Sequence, residues 1–183
     1  MTTRSRRYLA AVALGMTVLC AGCAAVPDPP EAVGENYPGT CLPPELSWPS
    51  DFLGSLAGES SAVGGAVVGL RLEYIDSDWV WRLRSHDTPH DAFGERVDDA
   101  SFGKESLVDV RTLETLATHQ VQLTEAEQHE SGSGAWGAAK LSGEQWPSPL
   151  IIEMARVMQG ETAVWRITTC DTETNEQHVM TVD

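Results

Sequence analysis

The sequence predicts an α+β protein made of two repeated units, each a helix packed on a small antiparallel sheet. Two short strings occur twice and in the same order. "WPS" at 48–50 and 146–148 precedes "VWRLRSHDT" at 80–88 and "VWRITTCDT" at 164–172. Tryptophan is scarce, with 6 in 183 residues. Collinear matches of this kind therefore indicate one supersecondary unit used twice, with accidental similarity as the alternative.

The second unit, 146–183, predicts a helix, a strand and a returning strand. Ser148 suits an N-cap, Pro149 the first helical turn and Gly160 a helix end. The apolar residues between them share one helix face: Leu150, Ile151, Met154, Ala155 and Met158. "AVWRITT" then alternates as a strand, "DTETNEQ" has turn chemistry, and "HVMTVD" returns.

The first unit, 41–123, predicts a shorter helix in "WPSDFLGSLAG" and a hairpin in "AVVGLRLEYIDSDWVWRLRSHD". Apolar and charged residues alternate along both arms of the hairpin, which gives it one apolar and one charged face. The apolar face holds Leu70, Leu72, Tyr74, Trp79, Trp81 and Leu83. A third strand is predicted around Leu107–Val110, and the Gly/Ser-rich stretch 124–145 is predicted to be a linker or long loop.

Residues 1–22 have the layout of an export signal. Arg4, Arg6 and Arg7 precede an apolar run that is too short to span a bilayer, and "CAGC" follows it. The stretch resembles a bacterial lipoprotein signal, which implies that Cys23 is lipidated and becomes the new N-terminus. Cleavage by an ordinary signal peptidase is the alternative, and the choice between general and twin-arginine export stays open. The proline-rich stretch to residue 40 predicts a tether with a reach of about 50 Å.

The charge excludes some partners. The chain has a formal net charge of −15, and loss of residues 1–22 removes three arginines and no acids. A chain with this much negative charge repels nucleic acid and anionic lipid headgroups. We therefore expect no nucleic-acid partner, and we expect the protein to contact the membrane only through its lipid anchor.

Two cysteines remain in the mature chain beyond the lipidation site. In an oxidising compartment, Cys41 and Cys170 most simply form a disulfide, and two buried thiols or a redox pair are the alternatives. A disulfide closing so long a loop would contribute about 2–5 kcal/mol.

The ending "VDVRTLETL", Val108–Leu116, after a helix and antiparallel strands is similar to that of the PepSY domain, with Leu113 in place of the usual turn glycine. The resemblance covers 48–116 and 146–183. It implies tandem exported, non-catalytic modules that restrain peptidases or bind envelope partners, and it brings no catalytic residues.

The candidate binding surface is the charged hairpin face, which we expect to be exposed and to carry Arg71, Glu73, Arg82 and Arg84. Trp136 is a further candidate contact, because its "SGSGAWGAA" setting offers little to bury it.

Other chemistry has weaker support. "HDTPHD" places His86 and His90 among carboxylates, but Pro89 prevents a regular helix there, and a polar loop after a strand is favoured over a metal site. The sequence contains no G-x-S-x-G nucleophile elbow, no HExxH zinc motif and no P-loop.

We therefore expect a non-enzymatic lipoprotein on the extracytoplasmic face of the cell membrane, without a cofactor, that binds or inhibits an envelope or secreted protein. A carrier or sensor of a small ligand or metal and an unrecognised cell-wall hydrolase are the alternatives. The partner and the oligomeric state stay open.

Overall fold

The computed structural model describes residues 65–76, 78–87, 93–95, 99–145 and 148–183. Several sequence predictions fall outside these ranges: the signal and tether, the lipidation of Cys23, the helix predicted after residue 48, and the positions of Cys41 and His90.

The described residues form seven strands and two short helices. The first four strands are β1 (Val67–Ile75), β2 (Asp78–His86), β3 (Phe102–Asp109) and β4 (Thr115–Gln122). The helices α1 (Glu125–Gln128) and α2 (Ala135–Leu141) follow, and then come β5 (Leu150–Gln159), β6 (Thr162–Asp171) and β7 (Glu176–Val182).

All seven strands belong to one antiparallel sheet with the order β4-β3-β2-β1-β5-β6-β7. Strands β1 to β4 form one meander and β5 to β7 form another. The two meanders join where β1 pairs with β5, with Leu70 opposite Met154. The predicted architecture of two helix-on-sheet units is therefore wrong.

The predicted helix between Ser148 and Gly160 is strand β5. A β-bulge between Ile151 and Glu153 shifts the register against β6. Leu150, Ile151 and Ile152 are consequently all buried. Three consecutive apolar residues followed by Met154 imitate the spacing of a helix face, although the β-branched side chains favour a strand.

The two "VWR" strings lie on β2 and β6, each the middle strand of a three-stranded portion of its meander. Trp81 and Trp165 are both buried in the core, as the alternation predicted. The arginines that follow them differ, because Arg82 is buried whereas the side chain of Arg166 is 49% exposed.

The apolar core lies on one face of the sheet. Leu70, Leu72, Trp81, Met154 and Ile167 contribute to it from four strands. The segment between β4 and β5 packs against this core through the alanines of α2: Ala135, Ala138 and Ala139. The predicted linker is thus part of the folded domain.

The hairpin between β6 and β7 follows the predicted turn chemistry. The Asp171 carboxylate accepts hydrogen bonds from the backbone N–H groups of Glu173 and Thr174, at 2.8 and 3.1 Å. These bonds lower the pKa of Asp171. The turn then ends at Asn175, whose φ of 59° is one that asparagine tolerates well.

Cys170, in β6, is completely buried and disulfide-bonded. Its predicted partner Cys41 lies outside the described residues, so the identity of the pair stays a prediction. None of the helices in the described ranges has the length and apolar content that a membrane crossing requires.

Candidate functional site

The candidate site lies on the sheet face opposite the apolar core. Because strand residues alternate between faces, Arg71 and Glu73 of β1 share this face with Arg82 and Arg84 of β2. The register places Arg71 opposite Arg82. It also places Arg84 opposite Glu105 of β3. The structure thus brings together the four charged residues that the alternation of the sequence assigned to one face.

Arg82 is the centre of a buried ion-pair network. Its Nε and Nη2 donate to the two carboxylate oxygens of Glu73 at 2.9 and 2.8 Å. Its Nη1 donates to Glu105 at 2.7 Å. Glu73 is 0% exposed, while Arg82 and Glu105 are each 3% exposed. Burial alone would lower the pKa of Arg82, but the hydrogen bonds and charges of Glu73 and Glu105 raise it overall.

Arg84 extends the network to the end of the sheet. Its guanidinium donates to Glu105 at 3.1 Å and to Glu127 at 3.0 Å. Glu127 is held in place by α1, because its side chain accepts a hydrogen bond from the Thr124 N–H in a capping box. A local helix signal therefore also positions a carboxylate for the network.

The expectation that this charged face is exposed is wrong at its centre. Arg82 and Glu73 were expected to face solvent, but both are buried, and Arg82 pairs with the carboxylates of Glu73 and Glu105. An isolated charge cannot be buried cheaply, whereas a hydrogen-bonded ion pair can. Their role in contacting a partner stays a prediction.

A cavity of about 280 Å³ lies on this face, above the junction of β1 and β5. Arg71, Arg84, Glu153 and Arg166 contribute to its wall, together with Ala155. Glu153 is held only loosely, with Arg166 Nη2 at 4.0 Å and the Thr168 hydroxyl at 3.4 Å. Arg71 has two buried guanidinium nitrogens without a hydrogen-bond partner, Nε and Nη2, whereas Arg84 and Arg156 have one each, Nε. The Arg84 Nε still lies 2.7 Å from a Glu127 carboxylate oxygen.

Trp136 lies on α2, away from this network, and is 40% exposed. The ammonium of Lys140 lies 3.5 Å from its ring centroid, in a cation–π contact one helical turn away. Trp136 is thus available to solvent on one side, although nothing in its surroundings identifies a partner.

The predicted metal residues are not assembled into a site that the structure describes. Burial and the charge of Arg156 lower the pKa of His86. His86 shares a small cavity with His129 and Glu130. Among the described residues, no group of three or more potential ligands could hold a metal ion. His90 lies outside the described ranges.

Among the described residues the sheet has two edge strands, β4 and β7, and both are mostly exposed. The sequence of β4, "TLATHQVQ", differs from that of β7 because it contains no lysine, proline or carboxylate. Natural edge strands usually carry such residues as protection against pairing with another chain. In the part of the chain that the structure describes, β4 pairs with β3 alone.

The backbone of β4 presents free hydrogen-bonding groups outward. The Leu123 N–H donates to the Ser101 carbonyl at 2.8 Å, toward β3. Because inward and outward N–H groups alternate in an antiparallel pair, the N–H groups of Gln120 and Thr118 point away from β3. Strand β4 can therefore accept a further strand.

Sequence reasoning missed Glu105, Glu127 and Glu153. The "TEAEQ" string at 124–128 matches a capping box, and it could have located α1 and Glu127. Glu105 and Glu153 carry no comparable signal, because only the pairing of β3 and β5 with their neighbours places them on the charged face.

Comparisons with known proteins add little to this description. No family model matches the chain, including any for the PepSY domain. No curated protein matches it either. One solved structure, a candidate lipoprotein from Clostridium difficile, is similar with a TM-score of 0.39 and 12% identity, over 78% of this chain and 99% of that one. A likeness at this level transfers neither fold nor function.

Proposed function

We propose that this protein is an exported lipoprotein, anchored through Cys23, that binds an envelope or secreted protein without catalysing a reaction. The export signal and the tether that follows it support the location. The observation that carries the binding proposal is edge strand β4, which is long, uncharged and exposed.

The partner contributes an extended segment that pairs with β4 as an eighth strand of the sheet. Strand addition gains affinity from main-chain hydrogen bonds, and side-chain pockets on either side of the edge give specificity. The exposed side chain of Leu116 would add an apolar contact at the start of the strand. The buried charged network is then a support for the sheet and not the contact surface.

The test compares two substitutions at Gln120 in the mature chain. Gln120→Pro removes the outward N–H that an added strand needs and leaves the inward N–H groups of Val121 and His119 in place. Gln120→Ala keeps the backbone donor and is the matched control. Each variant carries a photo-reactive side chain in place of exposed Leu116 and is cross-linked in intact cells of the organism that makes the protein.

We expect the wild-type residue and Gln120→Ala to capture the same protein, and Gln120→Pro to lose it while its melting temperature changes little. Equal capture by all three chains, or no capture by any, would refute the proposed role of β4.

A further inference from the structure

Arg71 is an unusual residue in the cavity on the charged face. Its Nε and Nη2 are buried and make no hydrogen bond. Arg82 and Arg84, its neighbours on the same face, each contact two carboxylates. A buried donor without a partner is energetically unfavourable, the more so when it is charged, and a ligand that supplies acceptors would relieve this cost.

The obvious internal partner does not fulfil this role. Glu153 lies opposite Arg71 in the β1–β5 register. However, its carboxylate is directed to Arg166 and Thr168. No other carboxylate of the described residues forms an ion pair with Arg71. The side edge of the guanidinium is therefore unpaired but covered, and a ligand that reaches it displaces the side chains that cover it.

The charge around the cavity is opposite to that of the chain. The arginines that contribute to its lining are Arg71, Arg82, Arg84, Arg156 and Arg166. The carboxylates among its described lining residues are Glu105, Glu127 and Glu153. The lining is thus net positive, whereas the whole chain has a net charge of −15. A local excess of this sign attracts an anion, and the three nearby carboxylates favour a singly charged one.

The geometry of the unpaired Arg71 donors favours one class of ligand. Nε and Nη2 form the side-on edge of the guanidinium, where two parallel N–H groups match the two oxygens of a carboxylate. At about 30 Å³ for each water-sized unit, the cavity of about 280 Å³ holds roughly nine such units. That space fits a small organic acid or the last residue of a peptide.

We propose that this cavity binds a carboxylate group, held by Nε and Nη2 of Arg71, from either a small organic acid or the C-terminus of a peptide. The proposal does not rest on the proposed function, because the cavity lies above the β1–β5 junction and not at edge strand β4. Failure of one test therefore leaves the other unaffected.

The experiment follows the arginine Nε–Hε signals of the ¹⁵N-labelled mature chain by NMR. The probes are acetate, N-acetylalanine, the dipeptide Ala-Ala and its C-terminal amide, each added up to about 20 mM, a concentration that saturates a site with a millimolar Kd. The Arg71 signal is assigned by its loss in Arg71→Gln. Arg111→Gln, at an exposed arginine outside the cavity, is the control.

We expect the free acids, but not the amide, to shift the Arg71 signal in a saturable manner. Arg71→Gln, in which the titration is followed through the Nε–Hε signals of Arg84 and Arg166 in the cavity lining, should bind at least tenfold more weakly, and Arg111→Gln should bind like the wild type. Equal affinity for acetate, N-acetylalanine and Ala-Ala would identify a small acid as the source. An affinity for Ala-Ala at least tenfold higher than for acetate would identify a chain end.

A second variant keeps the proposal testable if Arg71→Gln does not fold. Ala155→Leu would fill the cavity from β5 while keeping Arg71, so it should also abolish the shift. The proposal would be overturned if no acid shifts the Arg71 signal, if the amide binds as tightly as the acid, or if Ala155→Leu binds like the wild type.

Discussion

Arg82 lies at the centre of a buried ion-pair network that joins three strands of the sheet. Its position after Trp81 on an alternating strand correctly assigns it to the face opposite the core. The alternation does not show whether that face is exposed to solvent or buried. Its burial depends on Glu73 and Glu105, which come to Arg82 from two other strands. The local sequence pattern does not show that β2 pairs with β3, which follows it after a loop. The ion-pair network around Arg82 could therefore not be predicted.

Substitution of Arg82 by Met should strongly destabilise the protein. It would leave Glu73 and Glu105 buried without a cation, and breaking a buried pair in this way costs about 3–5 kcal/mol. The free energy of unfolding, measured by urea denaturation of the mature chain, should fall by an amount in that range.

Arg166→Met is the matched control, since Arg166 occupies the corresponding place on β6 but is half exposed and lies 4.0 Å from its nearest carboxylate. Its cost should stay below about 1 kcal/mol. Similar losses for the two variants would mean that the Arg82 network contributes no more than a surface ion pair.

The segment between α2 and β5 contains an unusual carboxyl group. Burial raises the pKa of Glu144 to about 7, although the hydrogen bond from the Ile151 N–H opposes the shift. In the unfolded chain the same group titrates near its ordinary pKa of 4.5. The two states therefore bind different numbers of protons between these pH values.

The protein should lose stability as pH rises from about 4.5 to about 7. In that window the folded state retains the Glu144 proton that the unfolded state releases, so rising pH favours unfolding, by at most about 3 kcal/mol. Urea denaturation at several pH values should show this decline in the wild type and a smaller one in Glu144→Gln. Glu125→Gln, at an exposed residue of α1, should follow the wild type. Parallel curves for the wild type and Glu144→Gln would contradict the raised pKa.

Strand β5 shows where pattern reading fails for a whole element. The hairpin of β1 and β2 and the β6–β7 turn have clean alternation and turn residues, and both were predicted correctly. In β5 the bulge at Ile152 places three consecutive apolar residues inside, and Ser148, Pro149 and Gly160 supply helix signals at its ends. Only its pairing with β1 and β6 decides in favour of a strand, and that pairing is tertiary information.

The described residues form one sheet in which two meanders join where β1 pairs with β5. The collinear strings correctly pointed to strands in corresponding places, on β2 and β6. The same strings gave no sign that β1 and β5 would pair and merge the two meanders. This junction also creates the cavity at Arg71, so the candidate ligand site exists only in the joined sheet.

The joined sheet places the proposed strand-binding edge, β4, at one end and the buried charge network on β1, β2 and β3. A tether from Cys23 would let edge strand β4 meet an extended segment of a neighbouring envelope protein, as proposed above. Natural sheets usually protect their edge strands from pairing with other chains by charged residues or proline, and β4 has neither. This absence is what we expect of an edge strand that pairs with a partner in the cell.

The pairing of β1 with β5 is tested most directly by NMR on the mature chain. We predict extended-strand Cα chemical shifts throughout 150–159 and cross-strand contacts between the protons of Leu70 and Met154, which face each other in the sheet. Helical Cα shifts over 150–159 with contacts between residues three apart, and none to β1, would restore the two separate helix-on-sheet units and remove the cavity.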